Sequence, residues 1–152
     1  MSHKYKNVPQ AMCDKINGIN ICQPILGRVY RVSKSGRIDA EAFDNTYCEM
    51  INGTTGQNKD LDDPGTYSTS VYLIPDRCEK FVKLLAKKHR DKYPAPAVIV
   101  GEIFAEDGIA QKTIERVIDY EDPYHVDWWI YQGNEVNVAN RFIYFSEKNS
   151  SV

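Results

Sequence analysis

The sequence predicts a single α+β domain with a mainly antiparallel, largely C-terminal sheet and two main helices. Segments near Arg28 and His125 alternate apolar and polar residues with the period of two that is typical of strands. By contrast, "DRCEKFVKLLAKKHRDKY" places apolar residues at helical spacing. The order of elements is strand, helix, loop, strand, helix and then mostly strands, which favours α+β. The 152 residues fit one domain, residues 1–152.

The first 26 residues are expected to be a partly ordered lead-in to a core spanning residues 28–146. Gly18 and Pro24 interrupt their weak apolar periodicity. The side chains expected to pack the lead-in onto the domain are Ile19, Ile21, Ile25 and Leu26.

The first strand is predicted at "RVYRVSK", residues 28–34, where β-branched and aromatic residues alternate. Asp39 is a suitable N-cap for a following helix, which should end near Asn52-Gly53. Residues 52–66 are rich in Gly and polar residues and are predicted to form a long exposed loop, of the kind that often serves as a binding loop or lid.

The second strand is predicted at "YSTSVYLI", ending before Pro75. Its alternation puts Ser68 and Ser70 on one face and Thr69 on the other. The clearest helix follows, with Asp76 and Glu79 in the capping-box relation. The apolar face of this helix is expected to contain Cys78, Phe81, Val82 and Leu85.

The C-terminal part is predicted to supply most of the sheet. A buried strand is expected over about 97–105, a turn at Asp107-Gly108, and a further strand that includes residues 113–118, although the apolar spacing there also fits a helix. In "YHVDWWIYQGNEVNV", one strand face holds His125, Asp127, Trp129 and Tyr131, and the other holds Val126, Trp128 and Ile130. Gly133-Asn134 is predicted to turn the chain into an antiparallel partner strand.

Composition excludes several functional classes from the prediction. The net charge is −2, so no basic nucleic-acid-binding face is expected. The four cysteines form no C-x-x-C pair and no apolar signal-peptide segment is recognised near the N-terminus, so we expect free thiols in the cytoplasm and no metal. No apolar run approaches the ~20 residues of a membrane span, so no membrane partner is expected.

Three stretches carry side chains suited to ligand chemistry. Arg31 stands between apolar strand residues, where its guanidinium can snorkel to the surface or pair with an anion in a cleft. The hydroxyls of Ser68 and Ser70 can brace a neighbouring group. Glu135 follows the predicted turn at the start of a strand, where a carboxylate can project into a cleft.

Together these stretches resemble the arginine–serine–glutamate class of mono-ADP-ribosyltransferases. The resemblance implies that Arg31 holds a phosphate of NAD and that Ser68 is a catalytic residue that steadies the glutamate and the NAD. It implies that Thr69 and Ser70 support the strand and, with Arg31, form the cofactor-binding set. It implies that Glu135 binds the ribose and stabilises the oxocarbenium-like charge as nicotinamide leaves. Gly133 stands where this class usually has Gln or Glu, so the resemblance does not extend to arginine modification.

The function predicted on this basis is an NAD-dependent ADP-ribosyltransferase-like toxin or effector domain that modifies a cytosolic protein or nucleic acid. An alternative is a non-catalytic immunity, inhibitor or regulatory module that binds a protein through loop 52–66 and the aromatic face of the C-terminal hairpin, Trp129 and Tyr131. A third is a hydrolase or nuclease in which Glu121, His125 and Asp127 do acid–base work. Glu102 is a further candidate for the acidic role.

Overall fold

The structure is a computed structural model that describes residues 3–56 and 58–146. Within these residues the chain forms one six-stranded sheet in the order β4-β5-β2-β1-β3-β6, with every neighbouring pair antiparallel. The predicted α+β class with an antiparallel, largely C-terminal sheet is thereby confirmed. The strands are β1 (Gly27–Ser33), β2 (Thr69–Tyr72), β3 (Ala97–Ile103), β4 (Gly108–Lys112), β5 (His125–Ile130) and β6 (Ile143–Tyr144). The described helices are α1 (Gln10–Asn17), α2 (Thr46–Ile51), α3 (Asp76–Lys88) and α4 (Glu135–Ala139).

Strand β5, which lies between β4 and β2, has an apolar face and a face that carries buried polar residues. On the apolar face, Val126, Trp128 and Ile130 belong to the main hydrophobic cluster, in which Phe43 packs edge-on against Trp128. On the other face, His125 and Asp127 are buried polar residues and Trp129 belongs to a second cluster. The predicted alternation along β5 is therefore confirmed, and burial of both faces fixes the strand's register.

The predicted helix over 39–52 is wrong in its continuity. A short 3-10 turn, Ala40–Phe43, ends at Asp44, whose backbone is extended, and α2 begins separately at Thr46. The break has a local cause, because the Asn45 side chain accepts a hydrogen bond from the Cys48 N–H at 2.8 Å and so caps a new helix. Asp39 does act as an N-cap, but for the 3-10 turn.

The predicted helix beginning at Asp76 is confirmed as α3, although its N-cap residue is Pro75 and no capping-box hydrogen bond forms. Cys78 and Leu85 are buried as expected, whereas Phe81 is exposed at the edge of the helix. Residues 52–56 and 58–63 form no helix or strand, in agreement with the predicted loop, and a 3-10 turn at Pro64–Tyr67 leads into β2.

Two C-terminal predictions are wrong. Thr113–Glu115 forms a 3-10 turn after β4 rather than a strand. The residues after Gly133-Asn134 form α4 rather than an antiparallel partner of β5. A hairpin partner has no place to pair there, because β2 and β4 already occupy both sides of β5.

Residues 3–26, the described part of the segment expected to be a lead-in, include helix α1 and pack on the domain. Helix α1 buries Met12, Cys13 and Ile16 in the cluster around Trp129. Ile19 and Ile25 are partly buried against the domain, as expected, but Leu26 is 59% exposed. The N-terminal segment thus completes a hydrophobic cluster that β5 begins.

The four cysteines, Cys13, Cys22, Cys48 and Cys78, all carry free thiols, in agreement with the sequence prediction. In the part of the chain that the structure describes, we find no helix with the length and apolar character needed to cross a membrane.

The role of α1 predicts a stability difference between two apolar side chains. Ile16→Ala should lower the free energy of unfolding by roughly 2–5 kcal/mol, because the Ile16 side chain is fully buried. Leu26→Ala should change it by less than about 0.5 kcal/mol, because that side chain is mostly exposed. Urea unfolding followed by circular dichroism measures both. Equal small effects would show that α1 is not part of the cooperative unit.

Candidate functional site

A buried polar network lies on one face of β2 and β5, with the Asp127 carboxylate at its centre. Asp127 accepts hydrogen bonds from Ser68 Oγ at 2.8 Å and Thr113 Oγ1 at 3.1 Å, and it forms an ion pair with Arg116 Nη2 at 2.5 Å. All three donors come from outside β5. Asp127 is 3% exposed, so these partners replace the hydration that its carboxylate loses.

The network continues through His125 to Ser70. His125 Nδ1 lies 2.5 Å from Thr113 Oγ1, and His125 Nε2 lies 3.0 Å from Ser70 Oγ. Because an ionised carboxylate can only accept, the Thr113 hydroxyl donates its proton to Asp127 and accepts from His125 Nδ1–H. Nε2 is then the unprotonated nitrogen of the neutral ring and accepts from the Ser70 hydroxyl.

The register of β2 against β5 explains why these side chains meet. Ser70 lies directly opposite Asp127, and Tyr72 opposite His125. Ser68 precedes β2 with the same alternation, so Ser68, Ser70, His125 and Asp127 share one face. This confirms the prediction that Ser68 and Ser70 lie on one face.

A basic cleft of about 210 Å³ opens above β1 and β2, beside α2 and α3. Among the described residues, four cationic side chains and one carboxylate, Glu49, line it. A neighbouring cavity of about 460 Å³ shares Arg31, Val32, Lys34 and Glu49 with the cleft, so the two volumes adjoin. The residues that line the basic cleft are Arg31, Val32, Lys34, Thr46, Glu49, Thr55, Lys59, Ser70, Tyr72, Arg77 and Phe81.

Arg31 is mainly a structural residue at the base of this cleft. Its guanidinium donates to the backbone carbonyls of Ala42 (2.6 Å), Ser70 (2.7 Å) and Asp44 (3.2 Å). Three of its five N–H donors are thus committed to the fold, and at most two can reach a ligand. Of the residues in the predicted NAD site, Arg31 and Ser70 line this cleft, whereas Ser68 and Glu135 do not.

The remaining predicted site residues lie elsewhere. Ser68 is fully buried and contacts Asp127 rather than the cleft. Thr69 points to the opposite face, where its hydroxyl donates to the Phe43 carbonyl at 2.8 Å. Glu135 lies in α4, and its carboxylate accepts from the Gly133 N–H at 2.9 Å. Among the described residues, Glu135 lines neither the basic cleft nor the adjoining cavity, but a small cavity that it shares with Thr69.

The carboxylate that does line the cleft, Glu49, was missed by sequence reasoning. Its Oε2 lies 3.2 Å from Lys34 Nζ, and its Oε1 lies 4.0 Å from Arg31 Nη2. Glu49 stands in a segment predicted to be helical, where an acidic residue has no distinguishing signal. Two other candidate acids, Glu102 and Glu121, are exposed.

Thr113 and Arg116 were missed for a similar reason. Both belong to a stretch predicted to be a strand or a helix, and only the 3-10 turn brings them onto Asp127. His125 and Asp127, by contrast, were predicted to share a face from the alternation of β5, and the structure confirms that placement.

The aromatic contact surface expected for a binding module is not present as predicted. Trp129 is fully buried, and its Nε1 donates to the Pro64 carbonyl at 2.9 Å. Tyr131 is partly covered by His3, which stacks on it with ring centroids 3.7 Å apart. The hairpin that was to carry this surface does not form, since α4 follows β5.

Comparisons of the chain with protein-family models, with curated proteins and with solved structures gave no match. In the described ranges, no group of three or more His, Cys, Asp or Glu side chains is arranged to hold a metal ion. The site is therefore interpreted from its own geometry.

Burial lowers the pKa of His125, an effect that the nearby Asp127 and Asp122 carboxylates partly oppose. His125 is 8% exposed, and the rings of Tyr72 and Tyr120 pack against its ring with centroids 5.2 Å and 5.3 Å away. At neutral pH the ring is thus neutral, which is the state required for Nε2 to accept the Ser70 proton.

The lowered pKa predicts that acid weakens the fold. Because the unfolded chain binds a proton at this histidine more readily than the folded chain, the free energy of unfolding should fall as the pH drops below about 6.5. Urea midpoints measured between about pH 7.5 and 5.5 should decline for the wild type. The decline should be smaller in His125→Gln and unchanged in His89→Gln, because His89 is exposed. Equal slopes in all three proteins would contradict the assignment.

Proposed function

We propose that this chain is an NAD-dependent ADP-ribosyltransferase-like enzyme, a toxin or effector that modifies a cytosolic macromolecule, with its active site in the basic cleft. The observation that carries the proposal is the meeting of Arg31 and Ser70 at one cleft whose other cations are Lys34, Lys59 and Arg77. Such a set of cations suits the two phosphates of a dinucleotide.

The shape of the site supports the same class of ligand. The cleft adjoins a larger cavity, and Tyr72 and Phe81 give the cleft aromatic surface on which a base or nicotinamide ring can stack. Lys34 Nζ lies 5.8 Å from the centre of the Phe81 ring, so charge and aromatic surface are adjacent.

In this proposal Glu49 takes the catalytic role first assigned to Glu135. Glu49 lies in the cleft between Lys34 and Arg31, where a fixed carboxylate can stabilise the positive charge that develops as nicotinamide leaves. In this proposal the Ser68 hydroxyl still positions a carboxylate by a hydrogen bond, but that carboxylate is Asp127 and not the catalytic glutamate. Ser68 therefore stabilises the buried network beneath the cleft. The macromolecule that accepts ADP-ribose is a protein or a nucleic acid.

The proposal predicts which of two glutamates is needed to cleave NAD. Purified wild type incubated with NAD should release nicotinamide, measured by chromatography with and without a cell lysate as the source of acceptor. Glu49→Gln should reduce the rate at least about 100-fold, because removing one electrostatic stabiliser of a transition state costs roughly 10²–10³ in rate. Glu135→Gln, a matched change outside the cleft, should keep the wild-type rate.

Affinity for NAD provides a second measure that does not depend on turnover. Arg77→Ala should weaken binding about tenfold or more in calorimetry, since a charge-assisted hydrogen bond contributes roughly 1.5–3 kcal/mol. Arg90→Ala, at an exposed position that does not line the cleft, should bind as the wild type does. A wild type that neither binds NAD nor releases nicotinamide would refute the proposal.

A further inference from the structure

Ser70 and Asp127 help to form the proposed NAD site, but the proposed cleavage of NAD involves no proton transfer along the hydrogen-bonded chain that joins them. This hydrogen-bonded chain starts at a hydroxyl that lines the cleft and ends at a buried carboxylate. We propose that Ser70 is a nucleophile activated by His125, and that the basic cleft hydrolyses small esters that carry a carboxylate or phosphate group. This activity requires no NAD and stands independently of the function proposed above.

The contact between nucleophile and base has the required length. His125 Nε2 and Ser70 Oγ are 3.0 Å apart, within the range over which a base removes the proton of a hydroxyl. A third group must orient the base, and Thr113 does so at 2.5 Å from Nδ1. Thr113 in turn is held by Asp127 at 3.1 Å. The threonine thus mediates between histidine and carboxylate, since the nearest direct separation, Nδ1 to Asp127 Oδ1, is 4.0 Å.

Each proton in this chain has one assigned position. Asp127 can only accept, so Thr113 donates to it, His125 Nδ1–H donates to Thr113, and Ser70 donates to Nε2. Nε2 is the free base of the ring. Ser68 and Arg116 occupy the other acceptor positions of Asp127 and hold the carboxylate in place.

The groups that face His125 keep its imidazole neutral, so that Nε2 can accept a proton. Tyr72 and Tyr120 cover the ring, and the Asp122 and Asp127 carboxylates offset part of the effect of burial. Arg77 and Arg116 act in the opposite direction and disfavour the imidazolium ion. Burial raises the pKa of Tyr72 to about 12, so its phenol stays protonated and does not compete as a base.

The lining of the cleft selects the substrate class. Lys34, Lys59 and Arg77 line the same cleft as Ser70, and Glu49 is the one carboxylate among the described lining residues. A space of about 210 Å³ holds a small molecule rather than a folded polymer. A small ester with an anionic group satisfies both conditions, because the group can pair with the cations while the ester carbonyl lies at Ser70.

The reaction balances without a cofactor. Ser70 Oγ attacks the ester carbonyl carbon while its proton passes to His125 Nε2, and the tetrahedral intermediate collapses with cleavage of the bond to the leaving oxygen. That oxygen takes the proton from Nε2. His125 then deprotonates a water molecule, which attacks the acyl-serine, and the acid leaves as Ser70 regains its proton.

Covalent labelling in the absence of NAD tests the nucleophile. Diisopropyl fluorophosphate should modify the wild type once, with loss of fluoride, and peptide mapping should place the adduct on Ser70. Ser70→Ala should abolish labelling, and His125→Asn should slow it at least about 100-fold, as expected for loss of a general base. Ser146→Ala, a change at an exposed serine outside the cleft, should label like the wild type. Modification of another residue, or labelling that is insensitive to His125→Asn in a folded variant, would overturn the proposal.

Thr113 is a positioning residue, and its test separates positioning from folding. Thr113→Val keeps the shape but removes the hydroxyl, so labelling should slow about tenfold or more and the pH at which the rate reaches half its maximum should shift. Thr113→Ser restores the hydroxyl and should restore both rate and pH profile. A profile that is unchanged in Thr113→Val would show that the hydroxyl does not orient His125.

The substrate class is tested with two chromogenic esters of similar length. The mono-4-nitrophenyl ester of succinate, which is anionic, should be hydrolysed with a kcat/KM at least about fivefold higher than neutral 4-nitrophenyl butyrate. The difference should shrink at high salt, which screens the cations of the cleft. Equal rates at low salt, or faster hydrolysis of the neutral ester, would refute the assignment of an anionic substrate.

Discussion

The arrangement of β2, β4, β5 and the 3-10 turn at Thr113–Glu115 depends on the buried carboxylate of Asp127. A buried carboxylate destabilises a fold by several kcal/mol unless charge and hydrogen bonds compensate it. The compensation comes from three directions, namely the segment before β2, the turn after β4 and the arginine beyond that turn. Satisfying this one group therefore fixes how β2, β4 and β5 lie together and holds the 3-10 turn at Thr113–Glu115 against the sheet.

Arg31 performs the corresponding role one strand further along the sheet. By donating to carbonyls of β2, of the 3-10 turn at Ala40–Phe43 and of Asp44, it ties the chain between β1 and α2 to the sheet. The base of the basic cleft is thus held by a fork of fixed geometry. The Ser70 backbone carbonyl accepts a hydrogen bond from Arg31, and the Ser70 hydroxyl donates to His125 Nε2. Ser70 is therefore held by both strands that flank β2.

The sequence predicts those features that alternation within one strand controls. The faces of β5 and the shared face of Ser68 and Ser70 follow from the period of two, and α3 follows from its helical spacing. Features that depend on which element lies beside a segment could not be predicted from alternation or helical spacing. Glu135 was expected in a hairpin strand because the turn signal at Gly133-Asn134 is local, whereas the positions beside β5 are taken by strands distant in sequence. Asn45 is a local signal that was available, since an asparagine before Thr46 is a good N-cap.

Burying the polar side chains of β5 carries a desolvation penalty, which suggests that they are retained for a reason other than stability. Replacing a buried ion pair with well-packed apolar residues is often neutral or stabilising. The opposite face of the same strand uses that apolar solution, with Val126 and Trp128 in the main core. If stability were the only requirement, apolar side chains could also occupy the positions of His125 and Asp127. Instead, His125 and Asp127 belong to a hydrogen-bonded chain that reaches the Ser70 hydroxyl, which lines the basic cleft. Such a chain directs its protons toward Ser70. Packing alone does not require this order, whereas the proposed nucleophilic role of Ser70 does.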